Sequence, residues 1–182
     1  MKNIWSVFLG LYFIFYVCLY IGYFFYIKVV HYSYNVVIIA YVILPFLLLG
    51  VFLKASNQDD RMTKSNFIGI MLVASIMPLC CGILLAINEY KSRFNMDRWL
   101  NDESSRVHMV DNLLEKYDFA EMPKNEVTEL LGAATPTHYF KEKDNIVYYL
   151  GNERGIISID SEWLIFKFDE NEKVTSYEVK TD

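Results

Sequence analysis

The stretch Ile4–Ile27, IWSVFLGLYFIFYVCLYIGYFFYI, contains no charged side chain. It exceeds the ~20 residues of helix needed to cross a hydrocarbon core. Two more apolar runs follow, Val36–Leu53 and Phe67–Asn88, and from Glu89 onward the chain becomes charged and alternately patterned. The sequence therefore predicts three transmembrane helices in residues 1–90 and one soluble domain in residues 91–182.

Charge divides at the same place. Residues 1–90 carry five basic side chains (Lys2, Lys28, Lys54, Arg61, Lys64) and three acidic ones (Asp59, Asp60, Glu89), a net of +2. Of the chain's 17 Lys/Arg and 22 Asp/Glu, twelve and nineteen remain for the second half, a net of −7. The whole-chain mean hydropathy of +0.20 thus averages two unlike parts. An acidic domain excludes charge-driven binding to nucleic acid or to anionic headgroups, both of which need a basic surface.

The first run is longer than the apolar region of a cleaved signal and is followed by no small-residue cleavage site, so it is expected to be a retained anchor. Basic residues flank the spans evenly, with Lys2, Lys54, Arg61 and Lys64 on one side and Lys28, Lys91, Arg93 and Arg98 on the other. The short loop between Lys54 and Lys64 tips the balance toward a cytoplasmic N-terminus and an extracytoplasmic domain. Cys18, Cys80 and Cys81 all fall within spans, where free cysteine acts as a small hydrophobe, and the soluble part has none.

Tyr12, Tyr16, Tyr20, Tyr23 and Tyr26 recur at helical spacing on one face of the first span. Such a stripe either packs and hydrogen-bonds across a helix interface or lines a polar path. Ion or proton transport calls for ionisable groups at mid-membrane, and the spans hold none there. Pro45 and Pro78 are expected to kink their helices.

In the soluble part, Val107, Val110, Leu114 and Tyr117 fall on one face of a helix expected over Asn95–Tyr117. A second helix is expected over Pro123–Leu131, with Pro123 at its first position and Gly132 as its stop. Thr137–Phe140, Asn145–Leu150, Trp163–Phe168 and Val174–Lys180 are rich in aromatic and β-branched residues and read as strands, separated in part by the polar turns Lys141–Asp144 and Asp169–Glu172. The fold class is an α-helical membrane region plus an α+β domain, two helices packed on an antiparallel β-meander.

The runs Arg106-Val-His-Met-Val-Asp-Asn-Leu-Leu114, Met122-Pro-Lys-Asn-Glu-Val-Thr-Glu-Leu-Leu-Gly132, Tyr148-Tyr-Leu-Gly151 and Trp163-Leu-Ile-Phe-Lys-Phe-Asp169 together resemble the SmpA/OmlA (BamE-like) domain family. That fold is shared with the repeats of β-lactamase-inhibitory protein. The resemblance covers Ser104–Val179 and none of the spans. It implies a non-enzymatic module that binds other proteins, in bacterial cell-envelope assembly or maintenance. The three spans, not the resemblance, give the expectation of a multi-pass protein of the cytoplasmic (inner) membrane.

The residues give no sign of an enzyme, since no nucleophile elbow, zinc-protease helix motif or phosphate-binding glycine loop occurs. His31, His108 and His138 are far apart and lack a cysteine or histidine at ligand spacing, so neither a metal nor a cofactor is expected. The connection Gly151–Glu162 is too long for a tight hairpin and contains Ile156, Ile157 and Ile159. These either tuck against the domain or meet a partner, and they are the candidate partner contact. Asp160 is expected to fix the turn before the next strand, paired with Arg154 across the loop. The alternative function is a membrane sensor or small-molecule transport component with the soluble domain as a regulatory cap.

Overall fold

A computed structural model describes residues 2–57, 62–155 and 158–182. The chain divides into two compact units, Met1–Glu89 and Tyr90–Asp182.

The first unit is helical: α1 (Lys2–Val30), α2 (Val36–Ser56), α3 (Lys64–Ala74) and the start of α4 (Ile76–Ser92). Val7–Val30, Val36–Ser56 and Lys64–Ser92 are long and apolar enough to cross a membrane. The third expected span, Phe67–Asn88, lies within the helical stretch Lys64–Ser92, and α3 and α4 are separated only by Ser75, which keeps helical angles of φ −65° and ψ −17°. Pro78 accounts for this one-residue lapse, because it has no N–H to donate four residues back, to Ala74. Asn35 and Thr63 cap α2 and α3 by accepting the N–H of Val37 and Asn66. The interior is a narrow seam of Tyr16, Tyr20, Val42, Leu49, Ala74, Cys81 and Leu85. Phe8, Phe15, Leu47, Leu72 and Ile83 point outward instead. Large apolar groups displayed on most outer faces are what a helix bundle in lipid presents, because lipid chains are as apolar as the side chains themselves.

The second unit is α+β, with α5 (Met96–Asn101), a 3-10 turn (Glu103–Ser105), α6 (Arg106–Lys116) and α7 (Lys124–Leu131). The antiparallel sheet β1 (Asn145–Asn152), β2 (Ser161–Phe168) and β3 (Val174–Thr181) runs in the order β1-β2-β3. Where one helix was expected over Asn95–Tyr117 there are three pieces. Asp102 leaves the helical region at φ −137° and ψ 88°. Its carboxylate accepts the Ser104 hydroxyl at 2.7 Å, and its carbonyl accepts the Ser105 hydroxyl and N–H. Short polar side chains compete with helical backbone bonds in this way. Pro123 stands just before α7, at its N-cap, and Gly132 ends the helix at φ 81°. The last carbonyls there are used by the indole N–H of Trp99, on Leu131, and the hydroxyl of Tyr148, on Gly132.

The expected first strand, Thr137–Phe140, is a turn. The Thr137 hydroxyl accepts the Tyr139 N–H at 3.0 Å, and Phe140 adopts φ 52°, a left-handed conformation that no strand contains. Thr135 instead closes the outer edge of β1, donating its N–H to Val147 and accepting that of Tyr149 on its hydroxyl.

Side chains alternate across the sheet. Ile146, Tyr148, Leu150, Leu164, Phe166 and Phe168 face the helices and pack with Trp99, Val107, Val110, Leu113, Phe119, Val127 and Leu131. Val147, Trp163 and Ile165 face the other way, where Phe140 and Tyr149 pack on them.

Candidate interaction surface

The connection between β1 and β2 is pinned at its base. Gly151 takes φ 128°, and a Cβ there would stand 2.6 Å from the Ser104 carbonyl oxygen, so only glycine fits. Glu153 donates its N–H to the Asp160 carbonyl at 2.8 Å. Ser158 donates its hydroxyl to the Glu153 carbonyl at 2.5 Å.

Arg154 is the centre of this region. Its Nε lies 3.0 and 3.1 Å from the two carboxylate oxygens of Glu162, and its Nη2 is 2.9 Å from Oε2. Its backbone N–H also reaches Glu162 Oε1 at 2.9 Å, and Nη1 reaches Asp111 Oδ2 on α6 at 2.5 Å. Burial works against the charge on Arg154. The hydrogen bonds and field of Glu162, with those of Asp111, outweigh it and raise the guanidinium above its ordinary pKa.

The expected pair Arg154–Asp160 is therefore corrected to Arg154–Glu162. Glu162 lies on the helix-facing phase of β2, in step with Leu164 and Phe166, so its buried carboxylate requires a cation. Asp160 precedes the strand and contributes its backbone carbonyl to the loop base. The signal was present in the sequence, as an acid on the core phase of a strand, but choosing its partner required the register.

Of the three candidate contact isoleucines, Ile156 and Ile157 lie outside the described residues. Ile159 is 82% exposed, the most open large apolar side chain described. A loop fixed at its base by an ion pair and backbone bonds thus displays an apolar side chain to solvent.

Next to Trp99, the buried Arg106 donates to the carbonyls of Trp99 at 2.7 Å and Tyr149 at 3.2 Å, and pairs with Glu103. Desolvation depresses its pKa, against the pull of Glu103. Its bonds tie α5 and α6 to β1, a structural role.

No family model, curated protein or solved structure was found to match this chain. The site is thus read from its own geometry. Among the described residues, no group of three or more His, Cys, Asp and Glu side chains is placed to hold a metal ion.

In the membrane unit three tyrosines of the stripe meet backbone. Tyr12 donates to the carbonyl of Pro45 at 2.8 Å, Tyr16 to that of Ala74 at 2.7 Å, and Tyr20 to that of Val42. A groove of about 260 Å³ beside Tyr20 is lined by Ile21, Phe24, Phe25, Met77, Cys80 and Cys81, and its lining is apolar. Asn88 is buried and donates to the carbonyls of Ile27 at 3.1 Å and Tyr32 at 3.0 Å, closing the C-terminal end of α1.

Proposed function

We propose that this chain is a non-enzymatic membrane protein that presents an SmpA/OmlA-like (BamE-like) protein-interaction domain, in the assembly or maintenance of a bacterial cell envelope. The observation that carries this reading is the pinned β1–β2 loop with Ile159 held open to solvent. An apolar side chain displayed on a braced loop suits contact with a protein better than chemistry on a small molecule. Three apolar helices keep that contact at a membrane. The resemblance in Ser104–Val179 supplies the family, and the helices packed on one face of an antiparallel sheet are compatible with it. In this reading the membrane is the bacterial inner membrane and the domain lies outside the cytoplasm.

The sensor or transport reading draws less support. The phenols of Tyr12, Tyr16 and Tyr20 are used on helix carbonyls, and the neighbouring groove has no polar lining with which to select a solute.

The test is the sidedness of the domain. A single cysteine is placed at exposed Asn171 in a chain whose Cys18, Cys80 and Cys81 are replaced by serine. A membrane-impermeant thiol reagent applied to intact cells should label it. Labelling only after lysis would place the domain in the cytoplasm and overturn the envelope role.

A further inference from the structure

β3 is the last strand of the sheet, and its outer edge is open along half its length. The Asp182 N–H donates to the Ser161 carbonyl at 3.2 Å, and Ser161 and Asp182 continue the β2–β3 register. Even-numbered residues of this strand from Ser176 onward therefore bond to β2, while Tyr177, Val179 and Thr181 turn their N–H and C=O groups outward. On that outer side Val174 exchanges backbone bonds with Met122 at 3.0 Å and Glu121 at 3.1 Å. Among the described residues, backbone pairing on this edge stops there. The opposite edge of the sheet is closed by Thr135. An open edge is a template for another strand.

The side chains of β3 specify which strand. An antiparallel pairing of β3 with its own copy about a two-fold axis must centre on one residue. Centred on Val179, it brings the outward groups of Val179 together, pairs Tyr177 with Thr181, and sets Glu178 opposite Lys180 twice, once on each side of the axis. Centred on Glu178 it opposes two glutamates. Centred on Lys180 it opposes two lysines and sets Glu178 against Asp182. Centred on Tyr177 it needs the outward groups of Val174, which Met122 and Glu121 already occupy. Centred on Thr181 it sets Lys180 opposite Asp182, but that carboxylate already accepts the Ser161 N–H at 2.7 Å. Opposite charges directly across a pair stabilise it and like charges destabilise it. The Val179 register meets that rule and also pairs the outward groups of Tyr177, Val179 and Thr181 with one another, so it is the one favoured. Glu178 and Lys180 are both on the face away from the helices, with side chains 45% and 43% exposed, and they already pair with each other at 2.9 Å within the strand. One residue pair supplies both halves of the complement, a property that points to a second copy and not to an unrelated strand.

We infer that two copies of this chain associate edge to edge through β3, centred on Val179, to form one continuous six-stranded sheet. The inference rests on strand geometry and charge, and stands apart from the family reading.

The experiment uses the full chain in liposomes, with copies per complex counted by single-molecule photobleaching. Wild type should be dimeric. Glu178→Lys alone and Lys180→Glu alone each place like charges opposite one another, and each should weaken self-association by about tenfold or more. Mixing the two single variants, separately coloured, should restore two-colour dimers, because each then meets its opposite. Circular dichroism melts of both variants establish that the domain remains folded. A monomeric wild type, single variants as dimeric as wild type, or folded variants that fail to combine on mixing would each overturn the proposal.

Discussion

The hydroxyl of Tyr16 donates a 2.7 Å hydrogen bond to the carbonyl of Ala74, the acceptor that Pro78, four residues further on, cannot serve. The proline that removes a backbone donor from the third span and the tyrosine of the first span are thus two halves of one arrangement. Water is absent from a hydrocarbon core, so a carbonyl released by proline needs a donor from a neighbouring helix.

Tyr16→Phe should cost about 1 kcal/mol, the scale of an interhelical hydrogen bond in a membrane. Pro78→Ala returns an N–H to Ala74 and should make the phenol dispensable. In that background the cost of Tyr16→Phe should shrink, giving a clear coupling in a double-mutant cycle measured by unfolding in mixed micelles. Equal costs in the two backgrounds would separate Tyr16 from the proline.

Arg154 holds the β1–β2 loop through Glu162, so the two acids flanking Ser161 should respond very differently to substitution. Glu162→Gln keeps the volume but removes the charge that faces a half-buried guanidinium, and should cost roughly 1–3 kcal/mol. Asp160→Ala preserves the backbone carbonyl used by Glu153 and should stay within about 0.5 kcal/mol of wild type. Thermal melts of both variants decide the matter, and a larger loss at Asp160 would return it to the role first expected of it.

What could be read from the sequence depended on the range of the interaction. The spans, α7 and its glycine stop, and the three strands announce themselves through local composition and period. The carbonyl left without its helical donor at Ala74 follows from Pro78, but its satisfaction by Tyr16 depends on which helices are neighbours. The apolar face of the helix expected over Asn95–Tyr117 begins only at Val107, and the polar run Asn101–Arg106 before it, with Asp-Glu-Ser-Ser a poor helix interior, marks where the Asp102 break falls. Thr137–Phe140 has strand composition, yet a local hydroxyl bond turns it. The partner of Arg154 depends on strand register, and register is a property of the folded sheet.

Asp169 provides the pH dependence. Its carboxylate accepts the N–H of Lys173 at 2.8 Å and of Asn171 at 2.9 Å in the β2–β3 turn. The bond from Lys173 is foremost in holding its pKa below the ordinary 3.8. A depressed folded pKa contributes stability that is present above the unfolded value and is lost as pH falls through the folded one. The melting-temperature gap between wild type and Asp169→Asn should therefore be widest near neutrality and close as pH drops below 3.8. A gap independent of pH would show that the ionised form is not what holds the turn.

Ile159 offers the most direct test of the contact surface. At 82% exposure it contributes little to the domain's own packing, so Ile159→Ser should leave the melting temperature close to wild type. If the loop meets a partner, the same change removes an apolar anchor from that contact. Binding should then fall by about tenfold, the scale of losing one apolar interface contact, whereas Ile159→Val should largely retain it. The measurement is site-specific photo-crosslinking in membranes, with the crosslinker at exposed Asp160 beside each Ile159 variant. Crosslinks of equal yield in Ile159→Ser and wild type would remove this side chain from the interface.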